Sequence, residues 1–125
     1  MAFKFERLEI WKTAIDISDQ INKLTKTFPR DEIFVLTSQM KRAADSISLN
    51  ISEGSTGQSN AEQCRFLGYA QRSALEVVNC LYLARRRGYI AEELFEKIYD
   101  VLEREVVKIQ AFKNSIKSKN NYNGQ

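Results

Sequence analysis

The sequence predicts an all-α fold, an antiparallel up-down-up-down four-helix bundle. Three observations predict it. Apolar residues recur every three or four positions through four long segments, the spacing that lines one face of a helix. The chain holds only five glycines and one proline, too few for the many turns of a β-protein of its size. The breaks between segments are short, and short connections make consecutive helices antiparallel neighbours. At 125 residues the chain is one domain's worth and can bury about two thirds of its unfolded surface without staples. We expect one bundle over residues 1–117, with helices at about 5–27, 31–53, 59–87 and 91–116, and a disordered polar tail at 118–125.

In the first helix Ile10, Ala14, Ile17, Ile21, Leu24 and Phe28 form a wide apolar stripe, joined by Leu8, Trp11 and Ile15. Pro29 ends it, because proline disfavours helical geometry at the residue before it. The second helix begins where Asp31 and Glu32 suit the positive end of the helix dipole. It presents Ile33, Leu36, Met40, Ala43, Ala44, Ile47 and Ile51, with Gly54 as its C-terminal stop. After the turn-like stretch Gly54 to Gln58, Ser59 and Glu62 stand three apart, the spacing of a capping box in which each side chain satisfies the other's free N–H. The third helix then shows Phe66, Ala70, Ser73, Ala74, Val77, Leu81 and Ala84 on one face. Arg85, Arg86 and Arg87 occupy its last turn, where cations suit the dipole, and Gly88 is the cap. The fourth opens on Glu92 and Glu93 and repeats Leu94, Ile98, Val101, Leu102, Val106, Ile109, Phe112 and Ile116.

The chemistry that is missing narrows the function. There is no histidine, which removes imidazole bases, imidazole metal ligands and Ser-His or Cys-His nucleophile pairs together. No CxxC occurs, so a zinc or dithiol site is not expected. Gly54-Ser-Thr-Gly57 lacks the lysine and the preceding strand of a phosphate-binding loop. The acids mostly fall on the outer faces, away from any shared metal. No enzyme, metal or cofactor is expected. Cys64 and Cys80 lie sixteen residues apart on one helix, about 24 Å, too far to bridge, and read as buried thiols of a reducing compartment. The N-terminal Met-Ala-Phe-Lys-Phe-Glu-Arg has charges where a signal peptide needs an apolar core. No apolar run nears the roughly 20 residues of a membrane span. A cytoplasmic protein with no membrane partner is the expectation.

What remains is surface. The net charge of +3 is unevenly spread: residues 59–90 and 113–125 each sum to +3, while 91–112 sum to −3. Arg85, Arg86 and Arg87 are candidates for phosphate binding, as are Lys113, Lys117 and Lys119 at the opposite end of the bundle; Lys41, Arg65 and Arg72 are further candidates. The other reading is helix-end electrostatics and pairing between neighbours. On the second helix, 100° per residue also sets Gln39, Arg42, Ser46, Asn50 and Glu53 on a polar strip beside the apolar one. Arg65, Arg72, Glu76 and Leu83 form a comparable strip on the third. These are either solvated faces or a subunit contact in which Arg42 pairs with Glu76 and Asn50 bonds to a neighbour's backbone.

These residues also carry a family likeness. The opening Phe5-Glu-Arg-Leu-Glu-Ile-Trp-Lys12 with Ala14 is one motif. A second is Phe28-Pro29, Glu32, Leu36, Gln39-Met-Lys-Arg-Ala-Ala44, Ser46-Ile47, Asn50-Ile51 and Glu53-Gly54. Arg65-Phe-Leu67, Ala70, Ser73, Leu75-Glu76 and Gly88-Tyr89 complete the set. Together they resemble the four-helix-bundle proteins encoded in intervening sequences of bacterial 23S ribosomal RNA genes, once called S23 ribosomal proteins. The resemblance covers about residues 3–116. It implies a ring-like homopentamer and kinship with the accessory variability determinant of diversity-generating retroelements, which binds reverse transcriptase and RNA. RNA or a ribonucleoprotein is therefore the implied partner, besides the chain itself. Three departures stand out: Ser52 where the family has alanine, Arg72 where it has glycine, and an uncharged Ser55-Thr-Gly-Gln58 where it often has a basic residue.

Overall fold

The computed structural model describes the backbone of residues 2–123 and the side chains of residues 2–119. Four helices form the chain: α1 (Glu9–Thr25), α2 (Ser38–Gly54), α3 (Asn60–Arg86) and α4 (Glu92–Asn123). Each packs on the next, and α4 closes the ring against α1. Cross-links fix the antiparallel sense. Gln39 meets Glu76 while Ser46 meets Ser73, and Gln71 meets Gln110 while Arg85 meets Glu92. No strand occurs among the described residues.

The core is where the periodicity puts it. Ala14, Ile17 and Ile21 of α1, Met40, Ala44, Ile47 and Ile51 of α2, Leu67, Ala70, Ala74, Val77, Leu81 and Ala84 of α3, and Leu102 and Ile109 of α4 are wholly buried. Each large side chain among them contributes about 1.5–3 kcal/mol of transfer free energy. The small residues of α3 let its neighbours approach closely. At Gly54 this closeness is a requirement: a Cβ there would stand 2.8 Å from Phe66 Cβ and 3.2 Å from the Gln63 carbonyl oxygen. Gly54 is thus a packing residue at the last position of α2 rather than a left-handed stop. The left-handed cap is Gly88, at φ +75°. Its N–H donates to the Arg85 carbonyl (3.1 Å) and the Tyr89 N–H to that of Ala84 (2.8 Å), the paired bonds that close a helix end.

The ends differ from the expectation. The first segment is broken at Leu8, which is extended at φ −78°, ψ 124°, so Lys4–Arg7 is a separate 3-10 turn. Glu6 holds that turn by accepting from the Phe3 N–H at 2.9 Å. The second segment is also not one regular helix. After Pro29 come a 3-10 turn, Arg30–Glu32, and a wide π-helical turn, Ile33–Thr37, before α2 begins. The cause is in the sequence: Ile33-Phe-Val-Leu36 is a four-residue apolar run, and no helix face can bury four consecutive side chains. Leu36 is buried, while Ile33, Phe34 and Val35 turn outward. The fourth helix runs on to Asn123, seven residues past Ile116, where a disordered tail from 118 was expected. Residues 124 and 125 of that tail lie outside the described residues. Finally, only half of the capping box forms. Ser59 Oγ accepts from the Glu62 N–H at 3.1 Å, but Glu62 turns its carboxylate to Arg65.

Candidate functional site

The polar strips of α2 and α3 lie side by side. Gln39 Nε2 donates to Glu76 Oε2 at 3.2 Å, and Ser73 Oγ donates to Ser46 Oγ at 2.9 Å, itself a partner of Asn50 Nδ2 at 2.9 Å. Asn50 also donates to the Ser46 carbonyl at 2.8 Å, one turn back on its own helix. Within the chain Glu76 is held by Gln39. Arg42 and Glu53 are exposed. Here lies a groove of about 460 Å³ lined by the polar Gln39, Arg42, Ser46 and Glu76 and by the apolar Phe34 and Val35.

These two apolar residues change the character of the strip. Phe34 is 92% exposed and Val35 58%, and Leu49, two turns beyond Arg42, is 64% exposed. The periodicity concealed them, because Ile33 and Leu36 alone satisfied a helical stripe. The run of four apolar residues was the available signal.

The arginine cluster is also not what its sequence suggests. Arg85 Nη1 bonds Glu92 Oε1 at 3.0 Å, and its guanidinium lies over the Phe95 ring, 4.1 Å from the centroid. Arg87 Nη1 meets Glu32 Oε2 at 3.2 Å. That same oxygen accepts the Tyr89 hydroxyl at 2.8 Å. Arg86 alone of the three has no ion pair among the described residues. The other candidates are scattered. Arg65 pairs with Glu62 and Arg72 lies over the Tyr69 ring. Lys41 shares a hollow between α1 and α2 with Asp19 and Asp45. Lys113 donates to Gln71 Oε1 at 3.0 Å. Lys117 and Lys119 sit at the far end of the bundle, away from Arg85–Arg87.

Two reactive groups are confined. Burial, then the charge of Glu76, pushes the Cys80 thiol up, which makes it a poor nucleophile. Cys64 is half-buried, and both thiols are free. Glu105 is a correction to the expected placement of the acids. It is fully buried in α4 on the face of Leu102 and Ile109, neither carboxylate oxygen has a hydrogen-bond partner, and burial pushes its pKa up to about 8. Among the described residues no three His, Cys, Asp or Glu side chains gather as a metal ion would need. No described helix is long and apolar enough to cross a membrane.

Comparison with known proteins falls on this same frame. The 23S rRNA-intervening sequence protein family matches residues 6–111. The chain belongs to that family. A solved relative has the same bundle: a protein of unknown function from the S23 ribosomal protein family of Bacteroides thetaiotaomicron, 26% identical, covering 83% of this chain and 97% of its own, with a TM-score of 0.77. No curated protein matches. The matched span begins at Glu6 and runs through the groove, the α3 cap and Glu105. The bundle and its α2–α3 face are therefore family territory, and the end of α4 lies beyond it.

Proposed function

We propose that this 23S rRNA-intervening sequence family chain is a non-enzymatic assembly unit. Copies join through the α2–α3 face into a homopentamer, and the assembly binds RNA or a ribonucleoprotein in the cytoplasm. One observation carries the assembly: Phe34, 92% exposed, stands beside a groove that already contains the polar strip. An aromatic ring held in water on an ordered turn, with Val35 beside it, is the makeup of a contact surface. The polar members supply register. A contact between two different surface patches closes into a ring when its rotation permits.

Light scattering tests it. The wild-type chain should have about five times its 14.5 kDa mass. Phe34→Glu should reduce it to monomer with helicity intact. A wild-type monomer at micromolar concentration removes the assembly.

A second reading, a protein-binding scaffold without nucleic acid, has its own support in the neutralised Arg85 and Arg87. A salt-dependent RNA gel shift separates the two. Binding that weakens steeply with salt supports RNA as partner, and no binding at low salt leaves the scaffold.

A further inference from the structure

We propose that the end of the bundle opposite Arg85–Arg87 is a single-stranded RNA site that grips the phosphodiester backbone, a reading that rests on the RNA partner proposed above. A cleft of about 510 Å³ opens there between the N-terminal turn, the α2–α3 loop and the end of α4. Three cations from two distant parts of the chain line it: Lys4 and Arg7 of the turn and Lys119 of α4. No acid lines it, and none of the three has an ion pair among the described residues. Asn60 and Gln63 add amide donors. Lys117 lines an adjoining hollow that shares Asn60 with the cleft, so positive charge continues from one depression to the next.

The chemistry selects the ligand. Cations converging on a concave surface with no counter-charge focus positive potential, and the guanidinium of Arg7 is shaped for two phosphate oxygens at once. The other arginine-rich end lacks this condition, since two of its three cations already hold carboxylates. A flexible single strand can bend its backbone into a concave cleft, whereas a duplex is a rigid convex rod. The break at Leu8 is what makes the site: an unbroken first helix would carry Lys4 and Arg7 along the α1 axis instead of folding them over the loop.

Fluorescence anisotropy with a labelled single-stranded oligoribonucleotide, over a salt series, tests the site. Lys4→Glu with Arg7→Glu and Lys119→Glu should weaken binding at least tenfold and flatten the log–log salt slope by about two, the share of three backbone contacts. The neutral set Lys4→Gln, Arg7→Gln and Lys119→Gln removes the same three contacts and should flatten the slope by about two as well with a smaller loss of affinity, melting temperature being unchanged in both. Arg85→Ala with Arg86→Ala and Arg87→Ala should leave affinity within about twofold. The reverse pattern, loss on changing the arginines and none on changing the cleft, overturns the site while leaving RNA as partner. Equal or tighter binding of the matching duplex overturns the single-strand selectivity. No binding of the wild-type chain at low salt removes both the site and the RNA reading.

Discussion

The Tyr89 hydroxyl donates to Glu32 Oε2 across 2.8 Å, joining residues 57 positions apart. The bond fastens the residue after the α3 cap to the turn that leads into α2. Arg87 donates to the same oxygen, and Glu32 Oε1 accepts from the Leu36 N–H at 3.4 Å. One half-buried carboxylate therefore joins the α3 cap, through Arg87 and Tyr89, to the turn before α2. The bond to Glu32, followed by desolvation, raises the Tyr89 phenol above its ordinary value of 10.0. The folded state thus retains a proton that the unfolded chain gives up, so this contribution is complete below pH 10 and is lost as pH rises through the raised value. Tyr89→Phe should lower the melting temperature by a few degrees at neutral pH and reduce the further loss in alkali. Identical alkaline melting curves for the two proteins would remove the bond from the account.

Two glycines of one bundle should respond oppositely to alanine. At Gly54 the new Cβ meets backbone and Phe66 Cβ, atoms that cannot swing away, and Gly54→Ala should cost about 1–3 kcal/mol in urea unfolding. At Gly68, inside α3, the nearest obstacle is the Lys113 ammonium at 3.6 Å, the tip of a flexible side chain. Gly68→Ala should stabilise by about 0.5–1 kcal/mol through helix propensity. Equal effects at both sites would mean that propensity, not close approach, governs Gly54.

Glu105 should make stability fall with rising pH. Its folded pKa of about 8 lies above the ordinary 4.5, so between these values the folded state holds a proton that the unfolded chain has released. Stability is greatest at and below the ordinary value and declines as pH rises through 8, by on the order of 3–5 kcal/mol from this one group. Glu105→Gln should abolish that decline, and Glu105→Leu should abolish it and raise stability in mild alkali as well. A wild-type slope surviving in Glu105→Gln assigns the pH dependence elsewhere.

The half-formed capping box makes an asymmetric prediction. Ser59→Ala should cost about 1 kcal/mol, because the Glu62 N–H loses its acceptor. Glu62→Ala should cost clearly less, because its carboxylate faces Arg65 at an exposed site. Chemical denaturation of both variants decides it.

Much of this was legible in the sequence, for reasons that differ by residue. Ile17, Ile47, Leu81 and Ile109 were readable as core because helical periodicity and burial are the same fact seen twice. Gly88 was readable because a glycine after three basic residues fits one helix ending. Phe95 was not: Leu94 satisfied the stripe equally well, yet Phe95 is buried, stacks on Tyr99 and meets Tyr82 edge to face, while Leu94 is 39% exposed. Charge was the least legible property. Arg85 and Arg87 look free in one dimension, but the carboxylates that engage them, Glu92 and Glu32, arrive from other elements. Lys4 and Arg7 failed to register for the converse reason. Their meaning lies in proximity to Lys119, and only the fold brings the two ends of the chain together.

The wide turn at Ile33–Thr37 acts as a one-residue spacer between two rigid parts. Deleting Phe34 would let the segment wind as an ordinary helix and rotate Arg30–Glu32 by about 100° about the α2 axis. Glu32 would then swing away from Tyr89 and Arg87, and the exposed aromatic would be gone. The outward ring of Phe34 and the inward carboxylate of Glu32 are set by the same extra residue, so a change in the length of this turn would disturb the exposed aromatic and the bundle's end at once.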